Sequence, residues 1–209
     1  MRWLLIWICV LWPCYAGADD TSDFDYYVLS LSWSPSWCAA TGNAQGSDQC
    51  DPRHDHGWIL HGLWPQNKRG YPSYCQTAQR PPSRRQTAAM ADIMGTAGLA
   101  WHQWRKHGSC TGLSAEDYFA LSRRAYESVA RPPALRRLTS EVKLPASVIQ
   151  EAFLAANPGW TPDMLTITCA ERRISEARLC LSKALDPVPC GADVARDCRM
   201  TDARLPPIR

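Results

Sequence analysis

Eight of the ten cysteines in this 209-residue chain lie after residue 18, and their number restricts the folds that the chain can adopt. They are Cys38, Cys50, Cys75, Cys110, Cys169, Cys180, Cys190 and Cys198. An even number of thiols in an exported protein predicts disulfide bonds, which tie distant segments of the backbone together. Eight thiols can pair in about 105 ways, so the sequence predicts a disulfide-stapled domain and leaves the connectivity open. Metal-bound thiols are disfavoured because no CxxC pair occurs.

The first 18 residues resemble a secretory signal peptide. A basic start precedes the apolar run at residues 3–12, and small residues lead to Ala18, after which we expect cleavage. A membrane anchor is disfavoured because the run stops at Pro13, short of the roughly 20 apolar residues that a spanning helix needs. A lipid anchor on Cys14 is disfavoured because bulky residues precede it. We therefore predict a secreted or periplasmic protein, with no membrane attachment once residues 1–18 are removed.

Residues 19–209 are long enough for one sizeable domain, and we expect a monomer. The chain carries a formal net charge of +3, and removal of Arg2 with the signal peptide leaves +2. Proteins that bind nucleic acid tightly and without sequence preference usually carry a concentrated basic patch. A nearly balanced charge instead fits an enzyme that contacts a few phosphates and releases its product.

The pattern of apolar residues predicts a mixture of strands and helices. Strands are predicted at 24–33, 58–64, 164–169 and 177–185 from alternation and from aromatic and β-branched residues. Helices are predicted at 83–94, 99–107, 116–129 and 147–156 from capping residues and an apolar face. We expect the second strand to be central and to end at Pro65, and the tail from Leu205 to lie loosely on the surface. This order predicts an α+β fold with an antiparallel β-sheet core and flanking helices.

The segment 101–110 carries polar groups that share one face if it is helical, within an arc of about 140°. These residues are His102, Gln103, Lys106 and His107. A helix face with these polar groups can bind an anion. Zinc is disfavoured because metal-binding helices typically place histidines at i and i+4, whereas these two are at i and i+5. The alternative is an ordinary solvated helix face with incidental histidines.

His61 is the polar exception in its predicted strand. Like His102 and His107 it sits among tryptophans, where a ring is not expected to be left loose, while His54 and His56 are interpreted as surface residues. Two imidazoles can divide a phosphodiester reaction, because one can remove a proton from an attacking hydroxyl while the other protonates the leaving oxygen. RNA supplies its own nucleophile as the 2′-hydroxyl, so this chemistry needs no metal or other cofactor.

Two motifs resemble the active-site motifs of the ribonuclease T2 family. The first is WILHGLWPQ at residues 58–66, and the second is HQWRKHGSC at residues 102–110. The segment 27–33, with Pro35 and Cys38, is similar to the opening strand of that family. The resemblance implies an α+β fold and an endoribonuclease that cleaves single-stranded RNA, and not DNA, through a 2′,3′-cyclic phosphate to 3′-phosphate products.

The resemblance also implies a role for each matched side chain. His107 would be the general base and His61 the general acid of the reaction. His102 would bind the phosphate and Lys106 would stabilise the transition state. Trp64 would stack on a base of the RNA, with a core tryptophan as the alternative.

Disulfide pairing follows partly from the same resemblance, which implies a bond between Cys75 and Cys110. That bond would hold the connection after the first motif against the end of the catalytic helix. Proximity in the sequence suggests the pair Cys38–Cys50. A nested arrangement in the tail suggests the pairs Cys169–Cys198 and Cys180–Cys190.

One position departs from the family pattern, because the second motif usually has Glu where this chain has Gln103. A nearby anion favours protonated histidine, so its loss would leave His61 and His107 easier to deprotonate and would move the pH profile of activity downward. Gln103 would still offer a neutral amide donor to the reacting phosphate. The alternative is a catalytically weakened protein that binds RNA on the same scaffold. A third possibility, a metal-dependent nuclease, predicts inhibition by EDTA.

Overall fold

The computed structural model describes residues 23–209, and the predicted signal peptide at residues 1–18 lies outside the described residues. The described chain has a mixed α+β structure built on a six-stranded sheet. Its strands are β1 (Tyr26–Trp33), β2 (Trp58–Gln66), β3 (Val142–Leu144), β4 (Leu165–Ala170), β5 (Arg173–Leu181) and β6 (Ala203–Leu205). They run in the order β2-β1-β5-β6-β3, and β4 also pairs with β5. The pairings are antiparallel except for one parallel contact between β5 and β6.

Six α-helices accompany the sheet in the described part of the chain. They are α1 (Ser34–Trp37), α2 (Arg84–Ala88), α3 (Ala91–Met94), α4 (Ala97–Lys106), α5 (Ala115–Ser128) and α6 (Ala146–Ala156). Shorter helical turns lie at Cys38–Gly42, Asp48–Cys50, Pro52–His54, Gly108–Cys110, Pro133–Arg137 and Pro162–Met164. The prediction of an α+β fold with an antiparallel sheet and flanking helices is confirmed.

Strand β1 lies inside the sheet and packs on both of its faces. Leu29, Leu31 and Trp33 point into the main core, which the helices cover. Val28 points the opposite way, into a small cluster that also contains Cys180. Alternate side chains of a strand point to opposite faces, so the apolar residues of β1 join two packed layers.

Strand β2, which carries the first motif, differs from the prediction in two respects. It is an edge strand that pairs with β1 on one side, not a central strand, and it continues through Pro65 to Gln66. Proline lacks a backbone N–H, and an edge strand tolerates it because one side of the strand needs no donor. Strand β2 thus places His61 and Trp64 at one side of a cavity.

Helices α2 and α4 each begin after a residue whose side chain caps the first turn. The side chain of Ser83 accepts a hydrogen bond from Gln86 N in a capping box at the start of α2, and Thr96 caps α4 in the same way. The predicted helix 83–94 is divided by a turn at residues 89–90 into α2, which ends at Ala88, and α3, which begins at Ala91. Helix α4 starts two residues before the predicted boundary and ends at Lys106.

The chain after Leu181 is more ordered than the sequence suggests. Leu205 ends β6 and is fully buried, and the carbonyl of Pro206 accepts a hydrogen bond of 2.9 Å from Trp33 Nε1. The expectation of a loose tail is therefore wrong. Buried apolar side chains and this hydrogen bond attach the tail to the sheet, although its prolines resemble those of a mobile terminus.

Four disulfides cross-link the described chain, at the pairs expected from the sequence. They are Cys38–Cys50, Cys75–Cys110, Cys169–Cys198 and Cys180–Cys190. The bond at Cys110 ties the segment after β2 to the turn that follows α4, while the bond at Cys180 ties the loop after β5 back to the sheet. Within residues 23–209, no helix combines the length and apolar character needed to cross a membrane.

Candidate active site

A cavity of about 470 Å³ lies between β2, α4 and β5. Its walls include all six side chains for which the sequence predicts a role in catalysis or binding: His61, Trp64, His102, Gln103, Lys106 and His107. Two segments that are distant in sequence therefore meet at one site. Charged side chains of β5 and of the loop after it line the rest of the cavity.

The β2 wall of the cavity carries His61 and Trp64. The Trp64 ring lies between two imidazoles, with its centroid 5.3 Å from the His61 ring in an edge-on contact and 5.2 Å from the nearly parallel His107 ring. Trp64 is partly exposed to the cavity. Both histidines therefore contact one aromatic side chain and face the same space.

The other wall is formed by the end of α4 and the residue that follows it. His102, Gln103 and Lys106 belong to the helix, whereas His107 leaves helical geometry as the C-terminal cap, with φ −121°. The predicted helical arc thus applies to three of the four residues. The fourth, His107, reaches the cavity from the cap position. Gly108 permits this turn, because a Cβ there would collide with the ring of Trp104.

His107 is buried in a positively charged environment. Burial, followed by the charges of Lys106, His61 and His102, lowers the pKa of His107 to about 3. Its Nδ1 atom has no hydrogen-bond partner among residues 23–209. The pKa of His102 is also lowered, by burial and then by the charge of Lys106. His107 is therefore neutral near pH 7 and able to accept a proton.

Glu176, a buried carboxylate of β5 that contacts His61, is not among the site residues predicted from the sequence. Glu176 Oε1 lies 2.5 Å from His61 Nδ1. Its other oxygen, Oε2, accepts hydrogen bonds of 2.9 and 2.6 Å from Nε and Nη2 of Arg178. Burial raises the pKa of Glu176, but the hydrogen bond with His61 and the charges of His61 and Arg178 outweigh it and lower the pKa to about 2. Glu176 is therefore ionised.

Gln103, the departure from the family motif, is buried beside Trp64. Its Oε1 atom accepts a hydrogen bond of 2.7 Å from Trp64 Nε1. Gln103 and Trp64 both lie so close to Gly62 that a Cβ at that position would collide with both side chains. Gln103 thus fixes the Trp64 ring between the two imidazoles. The site still contains a carboxylate, but it comes from β5 and not from the α4 motif.

The loop after β5, residues 182–202, which we call the tail loop, also lines the cavity. No residue of this loop was predicted to belong to the site. Asp193 Oδ2 accepts a hydrogen bond of 2.6 Å from Gly70 N, and Arg196 lies beside the same carboxylate. Lys106 Nζ lies 5.9 Å from the centre of the exposed Tyr71 ring. The tail loop, held by its disulfide, thus completes the rim of the cavity.

The arrangement suits a phosphate ester more than a metal ion. Cationic or imidazole groups converge on the cavity from β2, α4 and β5, and its two carboxylates, Glu176 and Asp193, each lie beside an arginine. An excess of positive charge in a pocket concentrates ligands of the opposite sign. Within residues 23–209, no group of three or more His, Cys, Asp or Glu side chains is arranged to hold a metal ion. The fold and the cavity together define a disulfide-linked α+β protein with three histidines in one cavity.

Comparison with known proteins gives the family. The model of the ribonuclease T2 family matches residues 24–190. A ribonuclease of Aeromonas hydrophila is 33% identical over 196 residues, which cover 90% of this chain and 87% of that protein. Extracellular ribonuclease LE of Solanum lycopersicum is 24% identical over 140 residues, covering 59% of this chain and 58% of that protein. The chain belongs to the ribonuclease T2 family.

The fold agrees with solved structures. The crystal structure of the SF11-RNase of Nicotiana alata, associated with gametophytic self-incompatibility, superposes on this chain with a TM-score of 0.66 at 21% identity. The superposition covers 90% of this chain and 100% of that one. At this identity the likeness concerns the fold, and the chemistry of the site has to be argued from its own residues.

Proposed function

We propose that the protein is a metal-independent endoribonuclease that cleaves single-stranded RNA. The observation that carries the proposal is the placement of His61 and His107 against one tryptophan ring in a single cavity that Lys106 and Arg178 also line. Family membership supports an activity on RNA. The geometry supports acid–base catalysis, because the two imidazoles line one cavity from different elements, where a bound phosphate would lie between them.

In the first step, neutral His107 accepts the proton of the RNA 2′-hydroxyl. The 2′-oxygen forms a bond to phosphorus, and the bond from phosphorus to the 5′-oxygen breaks as His61 gives that oxygen a proton. The products are a 2′,3′-cyclic phosphate and a free 5′-hydroxyl. Water then opens the ring to a 3′-phosphate, with His61 as the base and His107 as the acid. Attack within one nucleotide needs no separately activated nucleophile.

The low pKa of His107 fits the base role in the free protein, where the ring must be neutral. A bound phosphate places negative charge beside the ring, and a nearby opposite charge favours the protonated form. Substrate binding therefore strengthens His107 as a base at the moment when it has to take the proton. His102 and Lys106 supply donors to the phosphate oxygens, and Gln103 adds a neutral amide next to them.

Trp64 is the proposed stacking platform for a base of the RNA. Its partial exposure, and the hydrogen bond from its Nε1 atom to Gln103, leave a fixed indole in the cavity wall. Every base has a flat face, so stacking on an aromatic ring tolerates different sequences. Single-stranded RNA can expose its bases in this way, whereas duplex RNA keeps them paired and stacked.

We further propose that residues 19–209 act as one secreted or periplasmic domain, as a monomer and without a cofactor. Four disulfides support export, because such bonds persist in oxidising compartments. A relative described as extracellular agrees with this placement. Intact-mass measurement of the mature protein tests cleavage after Ala18 and the presence of four disulfides.

The decisive experiment incubates the purified protein with RNA and, separately, with DNA in excess EDTA. We expect RNA to be cut and DNA to remain intact, with 2′,3′-cyclic phosphate ends appearing before 3′-phosphate ends. Loss of activity in EDTA, or direct formation of 5′-phosphate ends, would overturn the proposal. RNA binding without cleavage would instead support the catalytically weakened scaffold.

A further inference from the structure

Glu176 occupies a position where an unpaired charge would be costly. Its side chain is 9% exposed, and a buried carboxylate is tolerated when it is paired and hydrogen-bonded. Both of its oxygens are engaged, one by Arg178 and the other by His61. Because residues 176 and 178 are two apart on β5, their side chains leave the same face of the sheet toward the cavity.

The two oxygens of Glu176 bind different partners, and only one of the two contacts is needed to neutralise the buried charge. Arg178 engages Oε2 through two donors, which satisfies the guanidinium and the buried charge. This ion pair does not require the second oxygen, yet Oε1 meets His61 Nδ1 at 2.5 Å. An ionised carboxylate only accepts hydrogen bonds, so Nδ1 must carry a hydrogen in this contact. His61 is then left with Nε2 as the ring nitrogen that can face a ligand.

We propose that Glu176 is a positioning residue for the acid step of the reaction: it holds the Nδ1–H of His61, and so directs Nε2 and its proton at the leaving 5′-oxygen. Arg178 in turn holds Glu176. When His61 gives up the Nε2 proton, the ring becomes neutral and keeps its Nδ1 proton, so Glu176 remains ionised throughout. This inference rests on the acid role of His61 proposed above.

Most of the ionisable groups near His61 are positively charged or can become so, and Glu176 opposes their effect on the ring. The other ionisable groups of the cavity are His102, Lys106 and His107 on the α4 side, Arg178 on β5, and Asp193 and Arg196 in the tail loop. Most of these groups are cations or potential cations, which oppose a second proton on His61. Asp193 is bound to Gly70 N and lies beside Arg196. Glu176 therefore supplies the anion in direct contact with the imidazole that must be protonated to act as an acid.

The test is Glu176→Gln, which keeps the size of the side chain and removes its charge. On RNA we expect kcat to fall about 10- to 100-fold, the range seen when partners that orient a functional histidine are removed. We expect KM to change less than about threefold, because the substrate-binding groups are untouched. The alkaline limb of the pH–rate profile should move to lower pH, since the variant no longer favours the protonated ring.

A second substrate separates positioning from general damage. In uridine 3′-(4-nitrophenyl phosphate) the leaving nitrophenolate is a weak base that needs no proton, so an impaired acid has little effect. We expect Glu176→Gln to cleave this ester within about threefold of the wild-type rate. The matched control is Glu141→Gln, which breaks another Glu–Arg pair, with Arg204, away from the cavity and should match the wild-type protein on both substrates.

Failure of the inference can be told from failure of the proposed function. If His61→Ala keeps full activity on RNA, the acid role itself is wrong. If His61→Ala loses activity while Glu176→Gln keeps it, the role of Glu176 alone is overturned. If Glu176→Gln does not fold, ¹⁵N NMR of the wild-type His61 ring decides: a neutral ring protonated at Nδ1 is expected, and one protonated at Nε2 overturns the inference.

Discussion

His61 and His107 carry the same side chain in one cavity, yet their surroundings differ in charge and in burial. His61 lies on an edge strand, has a side chain that is 34% exposed, and meets an ionised carboxylate at Nδ1. His107 caps a helix, is 4% exposed, and is surrounded by Lys106 and two other imidazoles. Its Nδ1 atom is buried without a partner in the described chain.

The difference teaches how two identical groups can take opposite roles in the proposed reaction. A carboxylate contacts one ring directly, while burial among positive charges favours the neutral form of the other. Acid and base assignments in an enzyme follow such differences in environment. The structure thus supports His61 as the initial proton donor and His107 as the initial acceptor.

The largest expected effect comes from removing each histidine in turn. His61→Ala and His107→Ala should each lower cleavage of RNA by about 10²- to 10⁴-fold, the usual contribution of a general acid or base. On the nitrophenyl ester the two variants should separate. His61→Ala should recover to within about tenfold of the wild-type rate because the leaving group needs no acid, while His107→Ala should remain impaired. Steady-state kinetics on both substrates measures this.

The reverse pattern on the two substrates would exchange the proposed roles of the histidines. Equal losses on both substrates would show that neither ring acts specifically on the leaving group. His54→Ala is the matched control, because it removes an exposed histidine that does not line the cavity and should leave both rates unchanged.

A smaller effect is expected on acid stability. The pKa of His107 is lowered to about 3 in the folded protein, whereas an unfolded chain binds a proton there below about pH 6.5. The unfolded state therefore binds more protons between these pH values, and stability falls as pH drops from 6.5 toward 3, by a few kcal/mol. His107→Gln should flatten this decline, measured by urea unfolding at pH 7 and pH 4.

Glu176 has a linkage of the same sign in a lower pH window, which distinguishes the two sites. Its pKa is lowered from 4.5 to about 2, so the stability that it contributes is present above pH 4.5 and is lost as pH falls toward 2. Glu176→Gln should therefore change the pH dependence of unfolding below pH 4.5, and His107→Gln should change it above that value as well. Parallel stability curves for wild-type protein and His107→Gln would contradict the buried, neutral state of His107.

The two histidines also differ in how far the sequence reveals their surroundings. His107 and its neighbours lie within one short motif, so a helical repeat is enough to place His102, Gln103 and Lys106 near one another. That helix starts two residues before its predicted boundary, where the side chain of Thr96 caps it. Local sequence therefore predicts most of the α4 wall of the cavity.

The β5 wall could not be predicted in the same way. Glu176 is 115 residues from His61, and the two meet only because β1 pairs Ser32 with Glu176 and joins β2 on its other side. Strand β5 also begins earlier than predicted. Its turn uses Glu171 and Arg172 at positive φ, whereas such turns are usually recognised by Asn or Gly. A Glu two residues before an Arg, next to the predicted strand 177–185, was the available clue in the sequence.

The smallest expected effect is that of Gln103→Glu. A glutamate at this position can still accept the hydrogen bond from Trp64 Nε1, so the fold and the stacking ring should be preserved. Its charge would lie on the α4 wall, near His107, and would favour the protonated imidazoles. The pH–rate profile of the variant should move upward, by no more than about one pH unit.

The matched control is Gln45→Glu, which adds the same charge in an exposed turn outside the cavity and should leave the profile in place. A profile that stays fixed or moves downward in Gln103→Glu would contradict the expected influence of this position. An upward shift would have a structural meaning, because a carboxylate at 103 makes the surroundings of His107 resemble those of His61. The neutral amide of Gln103 would then be what keeps the anion of this site on one histidine and away from the other.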